Sequence, residues 1–549
     1  MHRNRTLSAT ALLAAALTLS AATTAAAQQP KTTFTVVRTT QWGANNLNPF
    51  APGDQHLLPT NSAIYESMFY VNSLNGKVTD VLGTGYAWSK DNKTLTVTTR
   101  NGVKWNDGQT FSAADVAFTF NYLKKYPALD TSGLWKNGLT AVKASGNKVT
   151  FSFNAPNTPI FQYVANQIIV PEHIWSKVTN PVTETNTKPV GTGPFVMDTY
   201  SQQALRVLKN PNYWMKAQPY IDAIVWTSTN SNDAALLKLL KGEADYGYVG
   251  ISDPKGGYAA KGANYAYYWP VSGDNYLYFN TAKAPFNDSA FRRAVAQSID
   301  TANVAQKAYA GAALAAHSSG VIPAQQREWL PAAAKSLEIK FNPAAADAAL
   351  TKAGYKKNAQ GQRLGKDGKP LPPFKILVGA GWTDFITMAQ VMSEDLKKVG
   401  INTQIDQQAW SSYSGGFQGG TYDLGISWGW GGGPTPYYLF NQSFSPEFSA
   451  PVGKTAASNL SRYTNPTVTK ALDAFRTTSD PAQQKQLMGT VITTVLKDMP
   501  WFPLTDRLNF SLYNTARFTG FPTNENAYNE GAADDTLAAR LMYLNVKPK

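Results

Sequence analysis

The sequence predicts an α/β protein built from more than one lobe. Its 549 residues exceed what a single core holds, so about two to four domains are expected. From Tyr276 onward, strand patterns alternate with well-capped helices, the mark of an α/β lobe. Residues 78–189 instead read mostly as strand, with one clear helix.

In chain order, residues 1–27 read as a secretory signal. A basic start (His2, Arg3, Arg5) precedes the apolar run 9–19 and the small residues Ala25-Ala26-Ala27. That run is too short to span a bilayer, so an exported, periplasmic chain without stable membrane insertion is expected. The absence of cysteine excludes disulfides, thiolate chemistry, Cys-ligated zinc and a lipoprotein anchor.

The mature chain opens with a strand, Phe34-Thr35-Val36-Val37, running into a loop that carries Trp42 and Asn45. Loops at strand ends are where α/β proteins often meet ligands; a packed turn tryptophan fits the same residues. Further on, 94–99 and 148–153 alternate as strands. Ser112 and Asp115 form a capping box, Phe111 and Val116 a hydrophobic staple, and Val116, Phe120 and Leu123 one buried helix face. The Gly/Pro-rich segment 188–195 reads as hinge-like, between lobes. A strand at 221–226 and a helix at 232–241, stopped by Gly242, follow.

Asn287 or Asp288 caps a helix bearing Phe291, Val295 and Ile299, and Asp300 caps the next. Asn342, Pro343 and Gly354 mark a third helix by its proline start and glycine stop. Lys366-Asp367-Gly368-Lys369 is a hairpin tip before the strand 374–378. Gly381-Trp382-Thr383-Asp384 opens a helix that Gly400 ends, and Ile401, Thr403 and Ile405 alternate into another strand.

The most informative stretch is 408–444, which sets Trp410, Tyr413, Trp428, Trp430 and Tyr437 among glycines with Asp423 as its sole carboxylate. A buried strand at 423–428 ends at the break Gly431-Gly432-Gly433-Pro434. Flat aromatic faces beside a glycine loop suit a surface that stacks on a ring or an extended oligomer. An aromatic core strand with a loose turn uses the same residues.

The formal net charge is +14, but the lysines are scattered. The densest basic run, 352–369, reads as a solvated helix end and hairpin, so no nucleic-acid partner is expected. A glycosidase needs two carboxylates across a cleft, and the aromatic segments carry almost no acids. The histidines (His2, His56, His173, His317) fall outside those segments, and no His-Glu-x-x-His or Gly-x-Ser-x-Gly motif occurs. His173 reads as a packed helix-start residue. No catalytic residue, metal or cofactor is expected.

Several ordered segments resemble the oligopeptide/dipeptide-type extracytoplasmic solute-binding proteins of ABC importers, solute-binding family 5. They include Leu47-Asn48-Pro49, the run 101–108 with Phe111 and Asp115-Val116, and Gly191-Thr192-Gly193-Pro194-Phe195. Asn210-Pro211-Asn212-Tyr213-Trp214, Gly242-Glu243-Ala244-Asp245, Tyr278-Phe279-Asn280 and Phe291-Arg292-Arg293-Ala294 continue the series. The resemblance implies a two-lobed periplasmic-binding-protein clamp with an additional mixed α+β subdomain. Lobe I would comprise 28–77, 190–275 and 503–549, the subdomain 78–189 and lobe II 276–502.

It also implies a monomer that closes on a small oligomeric ligand and is read by the transmembrane subunits of a permease. Peptide-binding members place an aspartate just after the segment aligned with 428–430, to pair with the ligand's amino terminus. This chain has Gly431-Gly432-Gly433-Pro434 there, and a buried ammonium group without a partner is costly. The 381–384 and 428–438 patterns look more like oligosaccharide-binding members. The expected ligand contacts are Trp42, Asn45, Trp382 and Asp384, with Trp410, Trp428, Trp430 and Tyr437. An oligopeptide binder is the alternative, and a secreted glycoside hydrolase a more distant one.

Overall fold

The structure, a computed structural model, describes residues 30–39, 42–51, 59–429, 435–531 and 537–549. The expected signal at 1–27, His56, Trp430 and the 431–434 break lie outside the described residues.

Two large sheets organise the chain. The seven-stranded one has the order Tyr265–Tyr268, Ser511–Asn514, Tyr246–Tyr248, Thr33–Arg38, Ala223–Ser228, Ala204–Lys209 and Phe195–Tyr200. Its central strand, Thr33–Arg38, runs parallel to both neighbours, so these three strands end on one edge. The five-stranded sheet has the order Thr403–Gln408, Phe374–Gly379, Leu424–Trp428, Val271–Phe279 and Trp501–Leu508. Its first three strands are parallel, and Val271–Phe279 is antiparallel to both its neighbours.

A four-stranded antiparallel sheet, Gly83–Trp88, Thr94–Thr99, Lys148–Phe153 and Leu139–Ser145, accounts for the strand-rich region. Its hydrophobic core is continuous with that of the seven-stranded sheet, whereas the five-stranded sheet has a core of its own.

The chain passes between the two large sheets twice, at Trp269-Pro270 and at Asn509-Phe510. The expected lobe boundaries at 275/276 and 502/503 therefore fall inside two paired strands: Asn275 sits opposite Thr505 and Asp274 opposite Asp506. Backbone pairing holds those residues to the five-stranded sheet, so the crossings lie a few residues outside the expected limits. The 188–195 segment joins no two lobes. It returns the chain from the four-stranded to the seven-stranded sheet, with Gly193 N–H donating to Ile64 O at 2.8 Å. A Cβ at Gly193 would sit 2.4 Å from Ala63 O, so close backbone approach explains the glycine.

Local signals set most helix starts. Ser112 and Asp115 form the capping box of Ala113–Lys125. Asp288, Asp300 and Asn342 cap Ser289–Gln297, Thr301–Tyr309 and Pro343–Lys352. Two side-chain expectations fail. Arg363, within the run read as solvated, is fully buried: it donates to Tyr355 O at 2.8 Å and Val399 O, and pairs with Asp347. His173 starts the short helix Glu172–Trp175 but is one-third exposed, its Nε2 2.7 Å from Asp107 Oδ2.

A buried ion pair ties the C-terminal helix Leu537–Asn545 to the start of the fold. Arg540 Nε donates to Glu66 Oε1 at 2.7 Å, and Tyr213 and Trp214 also donate to that carboxylate.

Candidate functional site

Three parallel strands of the five-stranded sheet end at one edge, and each delivers a tryptophan. Phe374–Gly379 leads to Trp382, Thr403–Gln408 to Trp410, and Leu424–Trp428 terminates in Trp428. The rings meet as a shelf. Trp410 and Trp428 are stacked, with centroids 6.3 Å apart and planes 3° from parallel. Trp382 lies 6.1 Å from Trp410 and 6.0 Å from Trp428. All three are half-buried and packed against the core of this sheet, so part of each ring stays accessible while the rest is anchored in the fold. Strand carboxyl ends in open α/β sheets are where ligands are expected.

Behind the shelf runs a polar chain. Asn275 Nδ2 donates to Thr505 Oγ1 at 3.1 Å and to Tyr309 OH at 3.2 Å, and Tyr309 OH donates to Asp384 Oδ2 at 3.2 Å. Asp384 lies in the first turn of Thr383–Lys398. Burial pushes its carboxyl pKa up, against backbone N–H groups and the Tyr309 hydroxyl, which favour the charged form. Burial also pushes the Tyr309 phenol well above its usual range, with Asp384 adding to the effect. Asp274, 1% exposed, is driven well above the carboxylate range by burial and by neighbouring Asp506. Burial thus displaces the Asp274 and Asp384 carboxyls toward their neutral forms.

The seven-stranded sheet faces this edge. Asn232, at the start of Asn232–Leu240, lies with its Nδ2 3.5 Å from Thr383 Oγ1. Gly250, just beyond Tyr246–Tyr248, sits so close to Asp384 that an added Cβ would be 3.2 Å from Oδ2. Tyr248 accepts from the Arg507 guanidinium at 3.4 Å, and that guanidinium also lies 5.4 Å from the Trp428 ring centroid. A second contact joins the four-stranded side to the five-stranded one: Gln442 Nε2 donates to Tyr163 OH at 2.7 Å, beside the Tyr163–Tyr438 edge contact. The two sides are thus in contact at Thr383, at Asp384 and at Arg507 beside Trp428, and again at Gln442.

Of the residues expected in the cleft, Trp382, Asp384, Trp410 and Trp428 come together here. Trp42 does not join them. It is 6% exposed in the core under the seven-stranded sheet, with the Arg38 guanidinium 4.2 Å from its ring centroid. Asn45 is partly exposed in the same loop, and its Oδ1 has no hydrogen-bond partner among the described residues. Tyr437 is 3% exposed and stacked on Phe475 at 5.0 Å.

The reading of 408–444 as strand and open aromatic loop is corrected at both ends. Trp410–Gly419 is a helix, and Tyr437–Phe444 is a helix whose eight residues are all buried. The Leu424–Trp428 strand is paired on both edges and buried on both faces up to Trp428, with Leu424 and Ile426 in the core and the Phe417 ring packed over Gly425. At Gly425 a Cβ would lie 2.5 Å from the Phe417 ring, so this glycine admits a packed ring and no loop.

Asn275, Tyr309, Tyr248 and Arg507 were not expected at the site. Each lies within an ordinary strand or helix pattern, and no local motif distinguishes it. Among the described residues, no group of three or more His, Asp or Glu could hold a metal ion, and no helix is long and apolar enough to cross a membrane.

Residues 77–450 match the bacterial extracellular solute-binding proteins, family 5, middle region. The glutathione-binding protein GsiB of Salmonella choleraesuis is 25% identical over 491 residues, covering 86% of this chain and 89% of that protein. A periplasmic oligopeptide-binding protein of Thermotoga maritima, solved with mannohexaose bound, is 27% identical. It superposes with a TM-score of 0.88 over 94% of this chain and 99% of its own. The oligopeptide-binding protein AppA of Bacillus subtilis, solved with a nonapeptide, is 19% identical and shares the fold at a TM-score of 0.78, over 95% of this chain and 100% of its own.

Proposed function

This chain belongs to family 5 of the bacterial extracellular solute-binding proteins, and we propose that it captures an oligosaccharide by lobe closure. It would then deliver the sugar to the membrane subunits of an ABC importer, acting as a periplasmic monomer without chemical turnover. We take 28–77, 190–270 and 509–549 as lobe I, 78–189 as a subdomain on it, and 271–508 as lobe II.

The observation that carries this reading is the shelf of Trp382, Trp410 and Trp428, set where the two sides meet. Indole faces stack on the apolar faces of pyranose rings while short polar groups take the hydroxyls. The mannohexaose held by the Thermotoga maritima relative supports the same choice.

A peptide ligand is the second reading, favoured by the names of the glutathione- and nonapeptide-binding relatives. It needs an ionised carboxylate for the ligand's ammonium group, and burial disfavours that state in Asp274 and Asp384.

Isothermal titration of the mature protein against cello-, xylo- and manno-oligosaccharides, alongside di- to pentapeptides, separates the two. Binding of at least one sugar, recovered unchanged, is expected. Heat with peptides alone reverses the assignment, and cleaved sugar makes the protein a hydrolase.

A further inference from the structure

The Trp501–Leu508 strand carries an arginine that the fold itself does not neutralise. Arg507 is half-buried, and among the described residues no carboxylate lies within salt-bridge distance of it. Its neighbour in sequence, Asp506, pairs across the strand with Asp274, and the carboxyl of Asp506 receives Leu314 N–H at 3.4 Å instead. The Arg507 guanidinium lies over the Trp428 ring at 5.4 Å and, among the described residues, donates once, to Tyr248 OH, at the long distance of 3.4 Å. A guanidinium has five N–H donors in a planar fork, so most of this one's capacity is unspent.

Arg507 also bridges the two sides: Trp428 belongs to the five-stranded sheet and Tyr248 to the seven-stranded one. From Tyr248 a chain of rings runs through Phe510, at 5.5 Å, to Trp269, at 5.1 Å from Phe510. Trp269 Nε1 is buried without a hydrogen-bond partner among the described residues. Unspent donor capacity of Arg507 therefore lies beside the Trp428 ring, while burial displaces Asp274 and Asp384 toward neutrality.

We infer that Arg507 is a specificity-determining residue that receives a carboxylate of the ligand, so the preferred oligosaccharide carries uronic-acid units. This rests on the cleft assignment above. A planar carboxylate fits the guanidinium fork with two parallel hydrogen bonds, and such charge-assisted pairs are stronger than those to neutral hydroxyls. Stacking on Trp428 holds the fork in place, and partial burial limits screening by salt.

The test compares two ligands that differ only at C6, β-1,4-mannohexaose and the β-1,4-mannuronate hexamer. A pentapeptide as free acid and as carboxy-terminal amide completes the set. Each is titrated into wild type, Arg507→Gln and Arg507→Lys, with thermal unfolding confirming that the variants fold. Wild type is expected to bind the mannuronate about 10-fold or more tightly than the neutral hexamer, the size of one charge-assisted contact. Arg507→Gln should bring the two within about 2-fold, and Arg507→Lys should keep part of the preference.

Equal affinities in wild type, or a preference that survives Arg507→Gln, overturns the inference. If only peptides bind, the oligosaccharide assignment and its uronic-acid corollary fall. The role of Arg507 is then judged on the peptide pair, where a free-acid preference lost in Arg507→Gln upholds it and no preference ends it. A wild type that takes none of the four counts against both.

Discussion

Gly250 lies against Asp384, and in the proposed clamp that contact forms only on closure, which gives a direct handle on it. A Cβ at position 250 would lie 3.2 Å from Asp384 Oδ2 and 3.3 Å from Phe510 Cε2, and the two methyls of valine need more room still. Inserting carbon into such a contact costs about 1–3 kcal/mol. The Asp384 part of that cost falls on the closed form, because opening separates residue 250 from the Thr383–Lys398 helix. Since about 1.4 kcal/mol is tenfold in affinity, Gly250→Val should weaken ligand binding about 5- to 150-fold. The Phe510 part is present with or without ligand, so the unfolding temperature of the free protein should fall by that share alone.

Titration calorimetry on Gly250→Val, Asp384→Ala and the double variant measures this as a coupling. With the carboxyl removed, valine should cost much less, and small-angle scattering should show the single variant staying extended at ligand concentrations that compact the wild type. Wild-type affinity in Gly250→Val, or an equal loss in the Asp384→Ala background, would falsify the closure geometry.

Four further outcomes follow from individual residues. Trp428→Ala should weaken binding about 10- to 100-fold with a small change in melting temperature, since Trp428 is half-buried at the shelf; loss of folding would make it a core residue. Tyr437→Ala should do the reverse, costing about 3–5 kcal/mol in urea unfolding while the folded protein binds normally. Burial raises the Glu530 carboxyl from its ordinary 4.5 to about 7. The folded state then holds that proton more tightly than the unfolded, so this stability is full below pH 4.5 and lost as pH rises through 7. Urea unfolding from pH 5 to 8 should decline by up to about 3 kcal/mol more in wild type than in Glu530→Gln, and parallel profiles would refute the assignment. Arg540→Met strands the fully buried Glu66 and should cost about 3–5 kcal/mol, most of it recovered in the double variant with Glu66→Leu; the thermal melts of the pair check this.

Much of the fold was legible in the chain because its signals are local. A cap such as Ser112, Asp300 or Asn342 bonds a backbone N–H two or three residues away, so spacing alone locates it. The same holds for the ordered family segments, and for tryptophans placed at strand ends, three of which form the shelf. Where the reading failed, the deciding contact came from a distant part of the chain. Arg363 lies in a run of basic residues, yet it is buried because Val399 and Tyr355 offer it carbonyls.

By itself, then, the sequence determined the α/β class, the starts of helices such as Ala113–Lys125 and Pro343–Lys352, and the family. The tertiary structure decided which aromatics stay partly exposed and which are core: Trp428 ends its strand half-buried, while Tyr437 is stacked on Phe475. It also decided that Arg507 meets Trp428 and Tyr248, and that the crossings come at 269–270 and 509–510. Periodicity reports that a residue has an apolar side, but strand order and long-range pairing determine what covers that side.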